Sequence, residues 1–260
     1  MNNIELKYGR AKKIIGVVSG KGGVGKSTVT ASLAVSLANK GYRVGILDAD
    51  IFGPSIPRIL GIEDVKGKVE IVNPQEVAFT PVTTKEGIKL VSFNSYIARE
   101  EDVAMWRGPR LTATLTQLYQ NTHWEELDYM LIDMPPGTGD TALTVMQSYN
   151  LESIVVVSTP QSMVSMIVKK LTSMANSLGI RVSGIVQNMS YLECGGCSEK
   201  INIFSSKSAK EHTLEIGEIF LGELPMDPKL TESMEKKEFS KYVISRPEFA
   251  ELAGNLEIMG

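Results

Sequence analysis

The chain has 260 residues, 43% of them hydrophobic and 22% charged, with a formal net charge of −3. That is ordinary for a soluble globular protein with a well-buried core, and it excludes a global attraction to nucleic acid or anionic lipid, though not a local basic patch. Met1 to Lys7 lacks the charged-then-apolar pattern of a signal peptide and no apolar run reaches membrane-spanning length, so a cytoplasmic location is expected.

Lys12 to Ser19 is a short apolar run of strand type, and Lys26 to Lys40 carries Leu33, Ala34, Leu37 and Ala38 at helical spacing. Between them Gly20-Lys-Gly-Gly-Val-Gly-Lys-Ser27, followed by Thr28, reads G-x-x-x-x-G-K-S. Strand, glycine turn and helix N-terminus together make a phosphate loop. The backbone from Gly20 through Lys21, Gly22, Gly23, Val24 and Gly25 is expected to face a polyphosphate. Lys26 then reaches the outer phosphates, and the Ser27 hydroxyl is placed for magnesium.

Arg43 to Asp48 is a second strand, with Asp48 and Asp50 at its carboxyl end, where open parallel sheets bind ligands. A turn or cap role is the alternative for Asp48. Lys66 to Val72 reads as a short strand, Asn73-Pro74 and Thr80-Pro81 as turns, and Ile88 to Phe93 as a further strand. Trp106 to Arg110 precedes an amphipathic helix from Leu111 to Gln120; Arg107, beside a turn, is read as a solvated or structural charge, with an approach to phosphate or to a partner chain as the alternative. Tyr129 to Asp133 has the form of a Walker B strand, with Asp133 holding magnesium directly or through water. Met134 to Asp140 is a glycine- and proline-rich loop able to move with the gamma-phosphate, and Asp140 can cap the helix running to Ser148. Strand Ser153 to Ser158, helix Gln161 to Leu178 and strand Arg181 to Gln187 complete further units. Asn188, just past that last strand, is a turn residue or an amide able to pair with both a donor and an acceptor on adenine. The succession predicts an α/β fold, a doubly wound and mostly parallel sheet with helices on both faces.

The two cysteines, Cys194 and Cys197, flank two glycines. Without a secretory signal, metal or redox chemistry explains them better than a structural disulfide. Half a zinc site, a redox pair and half of an iron–sulfur ligand set are all compatible with the spacing. The redox reading lacks a helix starting at the first cysteine. The zinc reading lacks two ligands, His123 and His212 being the chain's histidines. Two chains meeting across a twofold axis would supply four thiolates, the usual complement of a cluster.

Lys21 to Thr28 resembles the deviant Walker A box of MinD/ParA-class ATPases. The resemblance implies that Lys21 reaches across a homodimer to the partner's nucleotide, as an arginine finger does. Asp48 to Pro57 resembles the switch I of that class, which implies that Asp50 orients the attacking water and Asp48 contacts magnesium indirectly. Together with Trp106 to Pro109, Leu127 to Asp140, Gln187 to Ser190 and the cysteine pair, the chain from Lys12 to Pro228 is similar to the Mrp (ApbC-type) iron–sulfur cluster carrier ATPases. That likeness implies a P-loop NTPase of SIMIBI type binding ATP and Mg2+ as a homodimer, with slow hydrolysis. It also implies a labile 4Fe-4S cluster bridging the two chains, received from an assembly scaffold and passed to apo iron–sulfur proteins; the acidic composition disfavours nucleic acid as a partner, and no membrane partner is expected. By residue match Lys21, Lys26, Ser27, Asp50, Asp133, Asn188, Cys194 and Cys197 inherit roles. The expected organisation is one P-loop ATPase domain over residues 1–260 with an inserted CxxC metal loop near 190–200.

Some departures from the family pattern stand out. No cysteine-rich or small extra N-terminal region precedes the motif, so a minimal carrier is expected. Gly195-Gly196 replaces a proline-containing spacer, and Met234 to Ser240 stands where relatives often have a glycine-containing loop. A rival reading is a MinD/ParA-like organiser of membrane or DNA partners, and a third is a zinc-stabilised adaptor. The membrane version needs a basic amphipathic terminal helix, whereas Arg246 to Glu257 carries three glutamates and one arginine.

Overall fold

The computed structural model describes residues 4–51, 53–74, 76–96, 108–160, 164–197, 199–204, 208–215 and 217–259. In chain order the elements are β1 (Tyr8–Ser19), α1 (Lys26–Asn39), β2 (Val44–Asp48), α2 (Ile56–Ile59), β3 (Lys68–Asn73), β4 (Glu76–Thr80), β5 (Val82–Thr83), β6 (Lys89–Ser92) and α3 (Gly108–Gln120). They continue with β7 (His123–Asp133), α4 (Asp140–Ser148), β8 (Ser153–Ser158), α5 (Val164–Ser177), β9 (Arg181–Gln187), β10 (Tyr191–Glu193) and β11 (Lys200–Asn202). The last are α6 (Ala209–Glu215), β12 (Phe220–Glu223), α7 (Pro228–Glu235), α8 (Phe239–Ser245) and α9 (Pro247–Met259).

Among the described residues, eight strands form one sheet in the order β12-β9-β8-β1-β7-β2-β6-β5, parallel throughout except for the short β5. Apolar side chains along each central strand divide between two cores. Ile14, Met130, Ile132, Ile154 and Val156 face α3, α4 and α5, while Ile15, Leu131, Val155 and Val157 face α1, α8 and α9. Continuous apolar strands are what a sheet covered on both faces requires.

Both long strands start before the apolar runs that mark them. β1 starts at Tyr8 rather than Lys12, its first half mixing exposed and half-buried residues, and β7 at His123 rather than Tyr129, with Trp124 and Leu127 buried and Glu125 and Glu126 exposed between them. Such a broken pattern carries little apolar signal, which is why the sequence marks only the continuously buried halves. The strand read at Lys66 to Val72 is β3, which pairs antiparallel with β4 as a second small sheet, every residue of β3 being exposed. α1 is not amphipathic in place. Val29 through Leu37 are all buried, because α8 and α9 lie over the face that would otherwise meet water. Asp140 is the first residue of α4 rather than its cap, a position held by Gly139. Its carboxylate still favours the positive end of the helix dipole. α5 is described from Val164, so the predicted start at Gln161 lies outside the described residues, as do Phe52, Trp106 and Arg107.

Candidate functional site

β1, β2 and β7 end together at the carboxyl edge of the sheet, at the crevice where parallel sheets hold ligands. Val17 is in register with Asp133, and Asp48 with Asp133. That register sets two carboxylates side by side beneath the loop that leaves Ser19.

The loop turns through Gly23 (φ +80°) and Gly25 (φ +81°), both left-handed. A Cβ at Gly25 would also collide with the Asn188 side-chain amide, so this position excludes other residues twice over. α1 starts without a side-chain cap and with no acidic residue in its first turn. Its amino end therefore keeps its N–H groups and positive dipole directed at the loop. A cavity of about 260 Å3 is lined there by Gly22, Gly23, Lys26, Ser27, Thr28 and Asp50, among others.

Lys26 is 6% exposed and its Nζ lies 2.7 Å from Asp133 Oδ1 and 4.0 Å from Asp50 Oδ2. Asp133 is 0% exposed, and it also accepts from Ser27 Oγ at 2.6 Å and Thr30 Oγ1 at 2.8 Å. A buried carboxylate is tolerable only with such a cation and such donors. Asp48, 1% exposed, accepts from Ser92 Oγ at 3.1 Å and from the Asp50 N–H at 3.2 Å. Burial first, and then the neighbouring Asp133, push its carboxyl well above the usual aspartate range, against the opposing pull of Lys26. Asp50 is raised too, by burial, with Lys26 acting against it. Ser27, Asp48 and Asp133 thus form a set of hard oxygen donors next to a phosphate-sized cavity, the chemistry a magnesium ion selects.

Lys21 is exposed on the rim, its carbonyl accepting from Ser19 Oγ at 3.1 Å. Asn188 stands past β9 as expected, but its side-chain amide donates to Val24 O at 2.8 Å, so it braces the phosphate loop. Thr30 went unrecognised in the sequence. Its position one helical turn after Ser27 was the available signal.

The cysteines lie apart from this cluster. The predicted metal loop is a two-stranded hairpin, β10 antiparallel to β11, with Cys194 to Cys197 at its tip and the Cys194 N–H closing onto Glu199 O at 2.9 Å. Both thiols are free, Cys194 half-buried and Cys197 exposed. N–H groups of Gly196 and Cys197, and then the Cys197 thiol, bond to Cys194 and lower its pKa, favouring the thiolate that binds metal. A Cβ at Gly195 or Gly196 would meet nothing within 4 Å. Among the described residues no group of three or more Cys, His, Asp or Glu side chains suited to a metal ion is present, so the two thiols have no third such ligand beside them there. A cavity of about 530 Å3 opens beside Cys194 towards Tyr242 and Arg246.

With this geometry in hand, comparison with known proteins is informative. Residues 10–256 match the family described as ParA, NUBPL iron-transfer P-loop NTPase. A protein of Clostridium perfringens (strain 13 / Type A) named iron-sulfur cluster carrier protein is 51% identical over 242 residues, covering 92% of this chain and 85% of that one. A protein of the same name from Methanocaldococcus jannaschii is 41% identical over 234 residues, covering 90% and 79%. Among solved structures, a nucleotide-binding protein from Archaeoglobus fulgidus in complex with ADP superposes with a TM-score of 0.78 at 39% identity, over 92% of this chain and 90% of that one. The cell division ATPase MinD of Pyrococcus furiosus, at 22% identity and a TM-score of 0.68, shares the fold.

Proposed function

The chain belongs to the ParA family of NUBPL-type iron-transfer P-loop NTPases, and from that premise we propose that it is an iron–sulfur cluster carrier. In this reading it binds and slowly hydrolyses ATP, holds a cluster between two copies of itself in the cytoplasm, and passes it to apoproteins. One P-loop ATPase domain carries the cysteine hairpin as an insertion.

The pair Cys194–Cys197 carries this reading: two thiols, one of them favoured as thiolate, at the tip of a hairpin with no third ligand among the described residues. A second copy supplies the missing two, and a four-iron cluster is the cargo that four thiolates suit.

At the other site, ATP lies along the loop with its outer phosphates on Lys26, and the part of the Asn188 amide not engaged by Val24 pairs with the adenine. Ser27 and Asp133 would hold magnesium, with Asp48 behind them, where the ion would serve to withdraw charge from the phosphates. Asp50 accepts a hydrogen bond from water and aims it at the gamma-phosphorus. Lys26, and Lys21 from the second copy in the manner of a deviant Walker A lysine, offset the negative charge that develops during transfer. The exposure of Lys21, against the burial of Lys26, supports a reach outward rather than inward. The membrane-organiser alternative loses its usual anchor. Phe249, Leu252 and Leu256, the apolar side of α9, are buried against the core, and no helix among the described residues is long and apolar enough to cross a membrane.

Anaerobic reconstitution with iron and sulfide, followed by metal and sulfide quantitation and mass measurement with Mg-ATP, tests the proposal. The expected result is a coloured dimer with one cluster per two chains. Zinc in place of iron, or a colourless monomer, overturns it.

A further inference from the structure

One segment joins the two sites. Val24 lies between the left-handed Gly23 and Gly25, so its peptide can rotate without a neighbouring Cβ obstructing it. Its carbonyl is held by the Asn188 side chain at 2.8 Å, and Asn188, 8% exposed, is anchored in turn by its N–H on Ser158 O at 2.7 Å. Met189 follows with φ +53°, a left-handed conformation that an L side chain rarely adopts. Ser190 comes next, its N–H on Leu224 O at 2.9 Å and its hydroxyl on Glu223 Oε2 at 2.9 Å. The other Glu223 oxygen takes Lys200 Nζ at 2.8 Å. Lys200 pairs in register with Glu193, the residue before Cys194, and Glu193 is tied to Arg246 at 3.0 Å. A single carboxylate at the end of β12 therefore ties the root of β10, at Ser190, and the tip end of β11, at Lys200, to the body.

We propose that Asn188 and Glu223 are positioning residues through which the filling of the phosphate loop sets the orientation of the cysteine hairpin. Phosphates bound to the loop amides fix the Val24 peptide and with it Asn188; the strained Met189 is the pivot, and Glu223 converts movement of Ser190 into movement of both strands. Coupling of this kind needs a contiguous chain of contacts with two settings. The loop glycines and the Met189 pivot supply the freedom, and the Glu223 clamp supplies the stiffness beyond it. The inference rests on the carrier reading for its purpose, but its test requires no iron, so either can fail without the other.

The test uses the full chain with Cys197→Ser, leaving Cys194 as the single thiol. Its alkylation rate by iodoacetamide is measured alone, with Mg-ADP, and with magnesium and a non-hydrolysable ATP analogue, each at saturation. Nucleotide is expected to change the rate by about fivefold or more. Glu223→Gln is expected to keep nucleotide affinity, measured by calorimetry, while shrinking that change below about twofold. Ser190→Ala removes one arm of the clamp and replaces the first variant if it folds poorly, with the same outcome required. An unchanged nucleotide response in the variant overturns the proposal, as does a Cys194 rate indifferent to bound nucleotide in the parent.

Discussion

At the phosphate loop every functional side chain already has its partner: Lys26 on Asp133, Ser27 and Thr30 on the same carboxylate, Asn188 on Val24. At the cysteine hairpin the thiols stand at a tip, Gly195 and Gly196 have open space around them, and Leu192 and Ile201 are exposed on its strands. Both regions emerge from the same edge of the same sheet. The first is pre-organised within one chain, because a buried carboxylate without its cation would unfold the centre. The second, on the carrier reading proposed above, is completed by a second chain, as suits a site that accepts and releases cargo. Glu223 ties the hairpin to the body at Ser190 and Lys200, and exposure leaves Cys197 available.

The largest break in that comparison comes from Cys194→Ala or Cys197→Ala. Either is expected to abolish cluster retention in the iron and sulfide assay while nucleotide binding stays intact; reconstitution equal to the parent would sink the carrier assignment. Next come the two lysines of the loop. Lys26→Met strands Asp133 without its cation and is expected to lose nucleotide binding and about 3–5 kcal/mol of stability in denaturant titration. Lys21→Ala, on the rim, is expected to change stability by less than about 1 kcal/mol, and to reduce hydrolysis and nucleotide-linked dimerisation more than ATP affinity. Equal effects from the two lysines would contradict their division of labour.

The smallest effect lies midway along β7, away from both sites. Asp128 accepts from the Arg43 side chain at 3.1 Å and backbone N–H at 2.9 Å, and lies 2.9 Å from Lys12 Nζ. The Arg43 side-chain bonds first, then its N–H and then Lys12, hold the carboxyl below the usual aspartate range. A depressed folded value makes the contribution full above the ordinary aspartate pKa of about 4, and it fades as pH falls below that. Asp128→Asn should therefore cost about 1 kcal/mol at neutral pH, with a melting difference that shrinks under acid. A difference of equal size at both pH values would disprove the linkage.

The apolar runs of β2, β8 and β9, the glycine turn with Lys26 and Ser27, and the carboxylates closing β2 and β7 were readable because each depends on neighbours in the chain. Strand continuity, helical spacing and left-handed backbone are local requirements that leave local marks. β3 was legible as Lys66 to Val72, close to its observed range, whereas β4 left no mark, since only Ala78 and Phe79 of its five residues are buried. The cysteine spacing announced a metal site but not its hairpin, because three-residue strands of mixed polarity have no period to read.

What the amino-acid order determined by itself was the sheet, the phosphate loop and the choice of Asp48, Asp50 and Asp133 as its carboxylates. Only the tertiary structure decided that Asp48 and Asp133 lie in register, that α8 and α9 bury α1 on its outer side, and that Asn188 braces Val24 across a sequence separation of 164. It also decided that Glu223 holds the hairpin that carries the thiols. Contacts between such distant residues follow from strand order and register, which emerge when two cores close on one sheet and which no single stretch of chain encodes.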